Sequence, residues 1–75
     1  MNKEFIIKYE DRILKVAQYI QKKKKVTLIT TYENFVYTIK YDLFKEIINT
    51  LAQAQLIKIV NKVFIWTGPK LDATT

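Results

Sequence analysis

The side chains in this sequence with the capacity for strong, specific chemistry are cations. Of 75 residues, 13 are Lys or Arg against 7 Asp or Glu, and every basic residue except Arg12 is Lys. His and Cys are absent. Those absences remove the groups most used for proton transfer near neutral pH, for thiol nucleophiles and for zinc. No catalytic residue, metal site or cofactor is therefore expected, and the chain reads as a non-enzyme. What remains is recognition of a polyanion. A formal charge of +6 and a pI near 9.6 favour nucleic acid first and an anionic membrane surface second. Lysine neutralises phosphate as a point charge, whereas bidentate reading of guanine suits Arg better.

The charge is unevenly placed. Residues 1–25 carry eight basic and three acidic side chains, and residues 26–75 carry five and four. Lys22, Lys23, Lys24 and Lys25 form the one dense run. Three readings of it stand side by side: phosphate binding, favourable placement of cations at a helix C-terminus, and attraction to a membrane surface. No apolar run approaches the ~20 residues needed to span a bilayer. The polar start, Met1-Asn2-Lys3-Glu4, has no apolar signal-peptide core. A cytoplasmic protein is expected.

The elements that must position these cations follow from apolar spacing. Tyr9, Ile13, Val16, Ala17 and Ile20, with Ile6 a turn earlier, predict an amphipathic helix over about 9–24, with Arg12, Lys15, Gln18 and Lys22 on its polar side. Phe44, Ile47, Ile48, Leu51 and Ala54 predict a second helix over 39–55, with Thr38 as N-cap and Asp42 near its positive end. Ile57–Val60 and Val63–Trp66 flank Asn61-Lys62 and predict a tight hairpin. With Val60 opposite Val63, Ile57, Ile59, Phe64 and Trp66 share a core face, while Lys58, Val60, Val63 and Ile65 share the other. Trp66, Phe64, Phe44 and Phe35 are the expected core aromatics.

Residues 26–41 admit two readings. Alternation of Val26, Leu28, Thr30, Tyr32, then Phe35, Tyr37, Ile39, Tyr41 suits a hairpin around Glu33-Asn34. The rival is a strand at Val26-Thr27 followed by a short helix over 29–36, with Ile29, Tyr32, Phe35 and Val36 on one face. The second is preferred, on the order of elements it completes. A fold over 1–67 is expected, closed by Gly68-Pro69, with a flexible tail over 68–75. The only Gly and the only Pro leave little room for long loops, and a domain of this size buries only about 60% of its unfolded surface. Self-association is the expected remedy.

Helix, strand, short helix, helix and hairpin is the order of the winged helix-turn-helix, and the chain resembles that family locally. Leu51-Ala-Gln-Ala-Gln-Leu-Ile57 is similar to the family's L-x-x-x-G-L-I pattern at the end of the third helix. Val26-Thr27-Leu28 resembles the V-T-x start of the second helix, and Tyr37-Thr38 resembles the I-S turn before the third. The similarity covers about residues 9–67, with landmarks about two residues further apart than the usual pattern. Gln55 stands where the family commonly has Gly. The Lys-, Ile- and Tyr-rich, Gly-poor composition also looks like small regulators of AT-rich archaea and their viruses or plasmids.

The resemblance implies an α+β fold of three helices with a C-terminal β-hairpin wing; the alternative is α-ββ-α-ββ with a hairpin at 26–41. It implies that the third helix enters the major groove of double-stranded DNA. Outward positions on that helix are Lys40, Tyr41, Asp42, Lys45, Glu46, Asn49 and Gln53. Lys45 and Asn49, four apart on one face, are the expected groove contacts, since Asn can bond adenine N6 and N7 and Lys can reach guanine or phosphate. Lys40, Lys58 and Lys62 are expected phosphate contacts, joined by Lys22, Lys23, Lys24 and Lys25. Asp42 and Glu46 weigh against a dense phosphate grip.

The function expected is a DNA-binding transcriptional regulator or accessory factor, acting as a homodimer. Its dimer surface would be Phe5, Ile7 and Leu14 of the first helix or Val60, Val63 and Ile65 of the wing. A winged domain that contacts protein through Val60, Val63 and Ile65, or inhibits a protein complex, is the second reading. A single-strand binder stacking bases on Tyr37 and Tyr41 is the third, and it needs the hairpin at 26–41.

Overall fold

The computed structural model describes residues 10–69. Helix α1 spans Glu10–Lys23. Val16, Ala17 and Ile20 form its buried stripe, with Ile13 and Tyr19 packed at the margin. Lys24 ends it in the left-handed region (φ 66), its N–H reaching the Ile20 carbonyl at 2.7 Å. The expected contributions of Phe5, Ile6, Ile7 and Tyr9 lie outside the described residues.

The chain then takes the strand-helix course. Strand β1 is Lys25–Thr27 and helix α2 is Leu28–Phe35, so the hairpin alternative over 26–41 is not adopted. β-Branched and aromatic residues have weak helix preference, and tertiary context overrides it here. Thr27 caps α2, its hydroxyl accepting from the Thr30 N–H at 3.1 Å. This cap fixes the helical phase, and the buried face is Leu28, Thr31, Tyr32 and Phe35. The expected face was partly different: Ile29 is 63% exposed and Val36 is also exposed. Thr31, polar and fully buried, took an apolar position because its hydroxyl donates internally to the Thr27 carbonyl at 2.8 Å.

Helix α3 spans Tyr41–Gln53, shorter at both ends than the expected 39–55. Thr38 is not its cap. The Thr38 hydroxyl instead donates to the Phe35 carbonyl at 3.2 Å, closing the turn after α2, and Lys40 holds the N-cap position without a side-chain cap. Ile39, between them, is buried as a plug. Phe44, Ile47, Ile48 and Leu51 are the buried face of α3, and α1 packs on α3, β1 and β3.

The helix-to-strand corner after α3 is a Schellman motif. Leu56 N–H bonds the Leu51 carbonyl and Gln55 N–H bonds the Ala52 carbonyl, both at 3.0 Å. Gln55 occupies the left-handed position, φ 63, that Gly would fill at no steric cost. The corner therefore holds a non-glycine residue in the left-handed region, at some strain.

Strands β2 (Ile57–Val60) and β3 (Val63–Trp66) pair in the expected register, Val60 opposite Val63. Asn61 and Lys62 both have positive φ, 50 and 61, as a type I′ turn requires. β1 adds antiparallel to the other edge of β3, giving a three-stranded sheet of order β1-β3-β2. This is an α+β layout consistent with a winged helix. One sheet face carries buried Val26, Phe64 and Ile57 toward the helices. Ile59, expected in that core, is 44% exposed: it lies on the edge strand β2 nearer the hairpin turn than buried Ile57, and it borders an open cleft. Phe44 and Phe64 are core as expected, whereas Phe35 and Trp66 are only partly buried.

Contacts continue to Pro69. The N–H groups of Thr67 and Gly68 both bond the Leu56 carbonyl, and Trp66 Nε1 donates to the Pro69 carbonyl at 3.1 Å. A Cβ on Gly68 would stand 2.5 Å from Leu56 Cδ2 and 3.2 Å from Leu56 Cα. Two outcomes follow in urea denaturation at matched protein concentration. Gln55→Gly raises stability by about 1 kcal/mol by removing the left-handed penalty, and Gly68→Ala lowers it by about 1–3 kcal/mol through overpacking.

Candidate functional site

Four-residue steps along α3 set Tyr41, Lys45, Asn49 and Gln53 on one exposed ridge, about 18 Å from end to end. The ridge faces the hairpin across a cleft of about 220 Å³. Its apolar floor is Leu28, Phe44, Ile48 and Phe64. Around the rim stand Tyr41, Lys45 and Asn49 from α3, and Ile59 and Lys62 from the hairpin. Three candidate residues of the helix and one of the wing thus converge.

The rim is held by a relay of rings. Tyr41 meets Tyr32 edge-on at 5.2 Å, Tyr32 meets Phe44 at 5.2 Å, and Phe44 meets Phe64 at 6.4 Å. Such pairs add about 0.5–1.5 kcal/mol each beyond area burial. Tyr41 is thereby fixed to the core although it is itself exposed. Lys45 Nζ lies 5.5 Å from the centre of the Tyr41 ring, a cation–π placement that steers the ammonium along the ridge.

The other candidate residues lie elsewhere. Gln53 continues the ridge past the cleft. Lys40 lines a separate hollow of about 380 Å³ with Arg12, Thr38, Asp42 and Leu43. Asp42 therefore borders two cations there and does not line the cleft, and neither does Glu46. Lys22, Lys23, Lys24 and Lys25 are all exposed, with Lys23 Nζ 5.7 Å from the Tyr19 ring centre. Lys25 is about 10 Å along the chain from Leu28 at the cleft floor. Lys58 points to the other side of the sheet from Ile59: the register sets Lys25, Ile65 and Lys58 in one row across the outer face. Beside that row lie Thr27, Val63 and Val60, with Val63 and Ile65 half-buried and Val60 exposed.

Tyr37 is 98% exposed in the turn after α2, while Tyr41 is committed to Tyr32, so the two do not share the strand platform that the single-strand reading needs. Sequence reasoning missed Ile59 as a rim residue. The available signal was its place on the outer strand of the hairpin, two residues before the turn.

No family model matches the chain, and no curated protein or solved structure matches it either. No helix among the described residues is long and apolar enough to cross a membrane. Among the described residues, no group of three or more His, Cys, Asp or Glu is gathered to hold a metal ion.

Tyr41→Ala removes the ring that joins the rim to the core. It is expected to lower stability by about 1 kcal/mol and to shift the Tyr32 ring resonances, with the sheet resonances of β1 and β3 unchanged in the NMR spectrum.

Proposed function

We propose that this chain is a double-stranded DNA-binding protein, acting as a transcriptional regulator or accessory DNA-binding factor in the cytoplasm, without enzymatic activity. One observation carries the reading: Tyr41, Lys45 and Asn49 of α3 and Lys62 of the hairpin converge on a single cleft. In this reading α3 enters the major groove, which admits an α-helix. Asn49 addresses base edges, and Lys45 and Lys62 hold phosphates on the two sides. Such backbone contacts fix register and carry no sequence information.

Lys22, Lys23, Lys24, Lys25, Lys40 and Lys58 act at longer range. They add to the net positive potential of the molecule, which raises the rate of encounter with the duplex and is screened by salt. Neither Asp42, which lines the hollow of Arg12 and Lys40, nor Glu46 lines the cleft, which supports a phosphate grip there.

A second reading has its own support on the opposite side of the sheet. Val60, Val63 and Ile65, flanked by Lys25 and Lys58, make a partly apolar face of the kind that takes a protein partner. A second copy of this chain on that face gives a homodimer and leaves the cleft open. A heterologous partner there gives a winged protein-interaction module instead.

If six to eight phosphates are neutralised, log K falls with log salt at a slope of about −5 to −7, and Lys45→Ala or Lys62→Ala each makes it shallower by about 1. Lys45→Glu with Asn49→Ala abolishes retention of duplex DNA in a gel and leaves mass by light scattering unchanged. Val63→Asp changes the mass or the capture of a protein partner and leaves retention in place. Affinity that stays level between low and moderate salt rules the DNA reading out.

A further inference from the structure

We infer that the cleft reads an A·T base pair, with adenine on Asn49 and the thymine methyl group on Ile59. This rests on the duplex-DNA reading and adds which bases the site selects. Asn49 and Ile59 stand on opposite rims of the same cleft, one on α3 and one on β2. They offer complementary chemistry. The Asn amide presents one donor and one acceptor, matching adenine N7 and N6 in the major groove. Thymine is the base that carries a C5-methyl group there, and an apolar side chain is its match.

Ile59 has the exposure this role needs. It is 44% exposed although its own sheet neighbour Phe64 is fully buried. It lines the cleft together with Phe44, Ile48 and Phe64, so a methyl group entering from the open side meets a largely hydrocarbon lining. A G·C pair in the same place presents the cytosine N4 amino donor to that hydrocarbon, which offers it no acceptor. Guanine in place of adenine sets two acceptors against Asn49, so one bond of the bidentate pair is lost. Lys45 and Lys62, on the two sides of the opening, supply charge complementary to the phosphates that flank such a pair.

The test compares three duplexes by fluorescence anisotropy at one salt concentration: alternating A·T, the same with deoxyuridine replacing thymidine, and alternating G·C. Uracil removes the methyl group and leaves Watson–Crick pairing intact, so the comparison needs no protein variant. The A·T duplex binds about four-fold tighter than its uracil counterpart, as expected for one buried methyl group. It also binds tighter than the G·C duplex. Ile59→Ala erases the thymine-over-uracil difference and keeps the salt slope. Asn49→Ala narrows the A·T-over-G·C preference while the thymine-over-uracil difference persists. Equal affinity for the thymine and uracil duplexes, with a steep salt slope, overturns the inference and leaves duplex binding standing. Failure to bind any of the three at low salt overturns both.

Discussion

The Leu28 N–H donates to the Lys62 carbonyl at 2.8 Å, and much of the molecule is arranged around that bond. It extends the β1–β3 ladder by one step beyond Thr27 and Val63, joining the first residue of α2 to the turn of the hairpin. A two-stranded hairpin alone is marginal in water. Here its inner strand is flanked on both sides, and its tip is tied to the start of a helix. The wing is consequently a fixed wall, and the cleft it forms with α3 has a defined width before any ligand arrives. Preorganisation of that kind reduces the entropy lost when the rim side chains take up a partner.

The outline of this arrangement was legible in the sequence. The stripe Val16, Ala17, Ile20 and the stripe Phe44, Ile47, Ile48, Leu51 carry strong helical periodicity, and both are buried where periodicity sets them. The hairpin register follows from a two-residue turn between two apolar tetrads, and Val60 does face Val63. The resemblance marked Gln55 as standing where Gly is common, which left a corner made differently or one made at some strain, and the structure has the second, with Gln55 left-handed. Less legible was the middle segment. Thr27, Thr30 and Thr31 read as strand formers until their hydroxyls are seen to bond locally, with Thr31 satisfied inside the core. The face of α2 follows from that cap, and no count of apolar residues identifies it.

The candidate site was legible as residue types and not as a place. Lys45 and Asn49 share a helix face by spacing alone, but their meeting with Lys62 depends on how far β2 and β3 reach along α3, which is a tertiary fact. Lys58 and Lys62 were both expected phosphate contacts, although the expected register already set Lys58 on the face away from the core. The pleat sends Lys58 to the outer sheet face with Lys25, while Lys62, in the turn, borders the cleft. The molecule thus has two sides of different character. One is a cleft whose polar rim is anchored to the core through Tyr41, Tyr32 and Phe44, and the other is a flat face mixing Lys25 and Lys58 with Val60, Val63 and Ile65.

These two sides give the account its most direct test, amide chemical-shift mapping during titration with a short duplex DNA at low salt. The largest changes are expected on Tyr41, Lys45, Asn49, Ile59 and Lys62, around one cleft. Changes centred on Lys25, Lys58, Val60 and Ile65, or no changes at saturating duplex, would contradict it.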